Sequence, residues 1–211
     1  MAKRTTAGGA SAARERLLAT ASALFYGEGI HAVGVDRIVS EAGVTRATFY
    51  RHFPSKEDLV EAYLGVEDAS IREALEGAEA MAQGPEQLIE LVIGGLAEDV
   101  ARHHTRGCPF INAAAEYPAS ESGVRVAVAR HREWFRGELQ AMLEGAQHPE
   151  PQAAAAQLVL LRDAAMVGGY LDGWERVSPA FTAAARAAAG VDARAGSASE
   201  SGVEVGATEG R

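Results

Sequence analysis

Asp36-Arg37-Ile38-Val39-Ser40-Glu41-Ala42-Gly43-Val44-Thr45-Arg46-Ala47-Thr48-Phe49-Tyr50-Arg51-His52-Phe53-Pro54-Ser55-Lys56 reads as two short helices and the turn between them. The first runs from about Asp36 to Ala42 and buries Ile38 and Val39. Gly43 breaks it, and Thr45 caps a second helix that reaches about His52. Pro54 ends that one, because the residue before a proline is pushed out of the α region. Two short helices joined by a glycine turn make a helix-turn-helix, in which the first braces the second and the second enters a DNA major groove. Phe49 and Phe53 lie four apart and share the buried face. Thr45, Arg46, Thr48, Tyr50, Arg51 and His52 are left outward. No acid occurs from Thr45 to Lys56 in a chain that carries 29 of them, as a surface laid on phosphates requires. Lys56 follows where its ammonium reaches a phosphate. The alternative is a generic helical hairpin whose polar face is merely wet, and the absence of acids over Thr45–Lys56 stands against it.

Upstream, Leu17, Leu18, Ala21, Leu24 and Phe25 fall on one helical face, with Ser11 as N-cap and Gly27 and Gly29 ending the helix. Downstream, Ser55 and Asp58 form a near match to a capping box, opening a long helix to Met81 or Gln83. Gly84-Pro85 opens a fifth helix to about His104. A short one follows from Phe110 to Tyr117, and a long one from Gly123 to Gln147. An eighth, from Gln152 to Arg176, is apolar on more than one face between Leu158 and Trp174, which argues burial on two sides. Ser178-Pro179 caps a last helix ending near Gly190. The fold class is therefore all-α, about nine helices: a three-helix head on a larger helical body. Composition agrees, since 44 alanines and only 6% aromatic residues disfavour a β sandwich or barrel. Residues 1–10 and 191–211 lack large apolar groups and are expected to be disordered. The domains are then a DNA-binding head over 11–56, with its helix-turn-helix at about 34–53 and the connector helix starting at 55, and a body over 57–190.

The net charge of −9 hides a division. Residues 1–56 hold eight Lys/Arg against four acids, while the remaining residues hold 12 against 25. A cationic head on an anionic body is what a polyanion-binding module looks like. A lone cysteine excludes a disulfide framework and a cysteine-only zinc cage. No apolar run approaches the ~20 residues that span a bilayer. No phosphate loop, dinucleotide fingerprint, nucleophile elbow or His-Glu-x-x-His is present, so no enzyme chemistry is visible. The expectation is a cytoplasmic protein that is not an enzyme, with no cofactor, no metal and no membrane partner.

The run from Gly43 to Leu59, Gly-Val-Thr-Arg-Ala-Thr-Phe-Tyr-Arg-His-Phe-Pro-Ser-Lys-Glu-Asp-Leu, closely resembles the signature of the TetR family of bacterial transcriptional repressors. The resemblance covers the first sixty or so residues strongly, and the remainder in helix number, length and order. It implies that Arg46 and Ala47 face base edges and that Thr45, Thr48, Tyr50, His52 and Lys56 occupy phosphate-contacting places, Arg51 completing the outward set. Arg37, early in the bracing helix, is a further base or phosphate candidate, and Lys3 and Arg4 are candidates for a minor-groove arm. One departure stands out. Where many members carry Thr or Ser at the start of the bracing helix, this chain has Gly34-Val35-Asp36, and Asp36, a possible cap, repels a phosphate. The resemblance further implies a homodimer built on the last two long helices, a palindromic operator in double-stranded DNA, and a small-molecule effector held in the body.

Candidate effector-lining residues are Tyr63, His103, Cys108, Phe110, Asn112, Trp134, Met166, Tyr170 and Trp174, for each of which core packing is the commoner role. Cys108 has two readings: an electrophile- or oxidant-sensing thiol, or an inert half-buried one. A metal site from His103, His104 and Cys108 lacks a fourth ligand. The reading is a ligand-responsive repressor. A helical enzyme whose hairpin only mimics a DNA reader, and a non-inducible architectural DNA-binding protein, are the alternatives.

Overall fold

The structure, a computed structural model, describes residues 7–102 and 105–191, with side chains from Ala12. Among the described residues there are nine helices and no strand: α1 Ala7–Glu28, α2 Val35–Glu41, α3 Arg46–His52, α4 Lys56–Met81, α5 Pro85–Arg102, α6 Pro109–Glu116, α7 Gly123–Gly145, α8 Pro151–Asp172 and α9 Trp174–Ala189. The expected arm residues Lys3 and Arg4, the pair His103-His104 and the tail from 192 onward lie outside the described residues.

Several expected boundaries move. Helix α1 begins at Ala7, so Ser11 lies inside it rather than capping it, and residues 7–10 are helical rather than disordered. Gly34, not Asp36, is the N-cap of α2, and it makes no side-chain cap bond. Asp36 instead sits in the first helical turn, where its charge complements the helix dipole. The eighth helix stops at Asp172 because Gly173 adopts φ +89, a left-handed value that ends the helix there. Helix α9 therefore starts at Trp174, and Pro179 lies within it instead of capping it. Pro179 is the sixth residue of α9, beyond the first four whose N–H groups lack helical partners, so it removes the one bond that its N–H would make to the Glu175 carbonyl. The Ser55–Asp58 box forms as expected: Asp58 N–H donates to Ser55 Oγ at 3.0 Å, and Ser55 N–H to Asp58 Oδ2 at 2.8 Å.

The described residues divide into two compact units. One comprises residues up to Ala74 and from Thr105 to Phe135; the other comprises Leu75 to Arg102 and residues from Arg136 onward. The expected boundary at 56/57 thus falls inside the first unit. Its core is built from Leu17, Ala21, Leu24 and Phe25 of α1, Ile38 of α2 and Phe49 of α3, with Phe53, Leu59, Val60, Tyr63 and Leu64 beneath them. Val39, expected inward, is only half-buried. In the second unit α8 packs on α9 and both pack on α5. One stripe of α8 there stays uncovered: Leu160 is 66% exposed, Val167 44% and Leu171 69%. Ala156 and Ala164 extend the same exposed line at helical spacing. The two-sided burial expected between Leu158 and Trp174 is thus satisfied on one side only within a single chain.

Candidate nucleic-acid interface

The turn between α2 and α3 depends on Gly43, whose φ of +63 suits a residue without Cβ. Thr45 caps α3 as expected, its Oγ1 accepting from Thr48 N–H at 3.1 Å. Phe49 and Phe53 are buried, and the expected outward set divides around them. Thr45, Arg46, Ala47, Tyr50 and Arg51 are exposed, and Thr48 is half-exposed with its hydroxyl 2.9 Å from that of Thr45. His52 departs from expectation. It is half-buried, and its Nε2 is shut from solvent without a hydrogen-bond partner, because the residue lies beside the inward Phe49–Phe53 edge.

Two cations expected at DNA are held by the protein. Arg37 is gripped by Glu28 and, at 2.8 Å, by Glu41, and these carboxylates raise its already high pKa. Its guanidinium fastens the end of α1 to α2. Lys56 donates from Nζ to the Ile30 carbonyl at 2.6 Å and lies 5.8 Å from the Phe25 ring centre. Burial lowers its pKa, with Glu116 opposing. The same α1–α2 turn is held by Glu116 at the end of α6, which accepts from the Ile30 and His31 N–H groups at 2.8 and 2.5 Å. Glu116 also pairs with His31 Nδ1 at 3.2 Å, and the His31 ring stacks on Tyr117. Tyr26 near the end of α1 accepts from Arg106 N–H at 2.7 Å and donates to the Gly107 carbonyl at 3.2 Å. Burial pushes the Tyr26 phenol up. The helix-turn-helix is thus braced by side chains that no local pattern exposes.

Of the effector candidates, Tyr63, Cys108 and Phe110 are buried in the first unit, where Trp134 is half-buried and Asn112 exposed, donating to the Arg106 carbonyl at 3.1 Å. Burial drives the Tyr63 phenol far up, further raised by Glu67. In the second unit Met166 is buried, Trp174 half-buried and Tyr170 52% exposed. His103 lies outside the described residues. Cys108, the N-cap position of α6, is 1% exposed, so a sensing role has to begin with an opening of its surroundings. Sequence reading missed a polar cluster between these residues. His131 is buried, stacked on Phe110 with ring centres 3.7 Å apart, and its Nδ1 is 2.7 Å from Asp68 Oδ1. Asp68 also accepts from Arg72 at 2.7 Å, and Arg72 lies 3.7 Å over the Trp134 ring. Burial alone would raise the Asp68 carboxyl, but hydrogen bonds from Arg72 and His131 hold it below its ordinary value. The signal was present: His131 falls in step with Val124, Ala127, Val128 and Phe135 on the buried side of α7. Among the described residues no group of His, Cys, Asp and Glu is placed to hold a metal ion. No described helix is long and apolar enough to cross a membrane.

A family model described as bacterial regulatory proteins, tetR family, matches residues 17–63, and one described as a tetracyclin repressor-like C-terminal domain matches residues 84–189. The chain is similar to a TetR-family transcriptional regulator from Streptomyces coelicolor, with 41% identity, a TM-score of 0.81, and coverage of 85% of this chain and 95% of that one. A putative TetR regulator from Streptomyces avermitilis, at 23% identity and a TM-score of 0.70 over 83% and 97% of the two chains, shares the fold. An uncharacterised helix-turn-helix regulator of Bacillus subtilis is 33% identical over 97 residues, 43% of this chain and 32% of that protein. The transcriptional activator FasR of Mycolicibacterium smegmatis is 45% identical over 53 residues, 25% of this chain and 23% of that protein. The matched part thus spans a third or less of the length of these curated relatives.

Proposed function

Because the chain belongs to the TetR family of bacterial transcriptional regulators, with a DNA-binding helix-turn-helix at its head, we propose that it is a cytoplasmic, effector-released repressor that binds a palindromic operator as a homodimer. The observation that carries the reading is the outward face of α3. Thr45, Arg46, Tyr50 and Arg51 are exposed, without an acid among them, over the buried Phe49 and Phe53. Arg46 opens the helix, where side chains reach base edges, and its guanidinium matches guanine O6 and N7. Ala47 offers a methyl contact, while Thr45, Thr48, Tyr50 and Arg51 supply phosphate contacts.

The uncovered stripe of α8 supports the dimer, because a second copy related by a two-fold axis buries it against its own counterpart. Two heads so paired set half-sites one helical turn apart, ~34–36 Å. An effector that binds the DNA-incompetent arrangement more tightly then shifts the population away from the operator. Tyr63, Phe110 and Trp134, with the Asp68–His131 pair beside them, are the proposed lining.

Selection of bound duplexes from a random pool tests the reading, and recovery of no palindrome refutes it. In the same assay Arg46→Ala is expected to relax base preference at one position of each half-site by about 1–3 kcal/mol; an unchanged preference removes Arg46 from the bases. The bond to Ile30 gives Lys56 a different expected phenotype from that of a simple phosphate contact. Lys56→Met should lower the melting temperature, because the bond is lost from a partly buried site, while the dependence of binding on salt stays within error of the parent. A salt slope shallower by about one unit would instead assign Lys56 to a phosphate.

A further inference from the structure

The acid that departs from the family pattern and the arginine assigned to a base are partners. Asp36, the second residue of α2, lies with Oδ1 at 2.9 Å from Arg46 Nε and Oδ2 at 3.2 Å from Arg46 Nη2. The pairing is side-on, through the Nε edge of the guanidinium. It leaves the end-on edge, with Nη1 and the outer proton of Nη2, directed away from the carboxylate. That edge has the fork geometry matching the two acceptors of a guanine. Both side chains are well exposed, at 61% for Arg46 and 76% for Asp36. A pair this wet contributes little to stability, so holding the fold together does not account for it.

We propose that Asp36 is a positioning residue that presents Arg46 to a guanine, converting a flexible cation into an aimed one. The proposal rests on the reading of Arg46 as a base contact and adds to it a specificity determinant on the bracing helix. A free arginine must surrender its rotamer freedom on binding, whereas one already held side-on surrenders less. The carboxylate also repels any phosphate nearby, so the same residue weakens sequence-independent binding. Both effects sharpen the ratio of specific to non-specific affinity. The neighbouring arginine of α2 is not available for this task, since Arg37 is occupied by Glu28 and Glu41.

The test is a binding-site selection with salt titration on the full-length protein and its variants Asp36→Ala, Asp36→Asn, Arg46→Ala and the double variant. Arg46→Ala is expected to lose about 5- to 150-fold of preference at one base pair, the range for a bidentate contact. Asp36→Ala should lose about 3- to 10-fold at that same base pair, with Asp36→Asn between it and the parent. Binding to random duplex should tighten in Asp36→Ala. In the Arg46→Ala background, removing Asp36 should change no base preference further. The proposal fails if Asp36→Ala leaves the Arg46-dependent preference intact or sharpens it, or if it alters preference at a different base pair, which would make Asp36 a reader in its own right. If Arg46→Ala itself changes nothing, the parent assignment of Arg46 fails, and positioning fails with it. Unchanged circular dichroism and melting temperature separate these outcomes from misfolding.

Discussion

Leu160→Glu combined with Leu171→Glu is expected to leave the chain monomeric and to abolish operator binding at concentrations where the parent binds. The two leucines stand eleven residues apart, on one line of α8 with Val167 and Ala164, and they are the most exposed large apolar side chains of that helix. In a two-fold interface each occurs twice, so four leucines lose the two-thirds of their surface that one chain leaves exposed, at about 1–2 kcal/mol apiece. Each ~1.4 kcal/mol is a factor of ten in the association constant, so their loss alone weakens the dimer by several orders of magnitude. The four introduced carboxylates add like-charge repulsion in a desolvated seam. Neither leucine lies near the helix-turn-helix in sequence, and both substitutions add charge to a surface that a single chain leaves wet, so the double variant should keep its helical circular dichroism. Sedimentation gives the mass, and titration with the selected palindrome gives the affinity. A double variant that remains dimeric refutes this face as the interface. One that is monomeric yet binds the full operator with parental affinity refutes the need for paired heads.

Glu116→Ala is the second large expected effect. The carboxylate accepts two backbone N–H bonds in the α1–α2 turn, at Ile30 and His31, and pairs with the His31 ring. Hydrogen bonds to a charged group contribute about 1.5–3 kcal/mol each, less where water can replace the acceptor. The partly buried Ile30 bond and the exposed His31 bond together suggest a loss of about 2–4 kcal/mol. For a chain of this size that is a fall in melting temperature of roughly 5–15 °C. Hydrogen exchange at the Ile30 and His31 amides should accelerate together, and operator affinity should fall, because α2 starts four residues beyond His31. Glu116→Gln keeps one neutral acceptor and should recover part of the loss. A melting temperature within 1 °C of the parent for Glu116→Ala would show that solvent serves these amides equally well.

The pattern of residues carries a great deal of this molecule. The spacing of Ile38, Phe49 and Phe53, the break at Gly43, the cap at Thr45 and the Ser55–Asp58 box are local features, and local features are what helix periodicity and capping chemistry report. The same reasoning failed at Gly173 and Pro179. Either residue is a plausible helix end, and only the backbone, with Gly173 at φ +89 and Pro179 tolerated inside α9, selects between them.

What sequence alone determined was the kind of protein: about nine helices, a helix-turn-helix whose second helix carries no acid, and a family signature spanning α3 and the start of α4. These follow from neighbours within a few residues of one another. Partnership was decided by the tertiary structure. Glu116 meets Ile30 across 86 positions, His131 meets Asp68 across 63, and Lys56 and Arg37 turn to the protein rather than outward. A charged side chain looks the same in a sequence whether it faces water, a carboxylate or a backbone carbonyl. Which of these it meets is fixed by the packing of helices distant along the chain, and no periodicity encodes it.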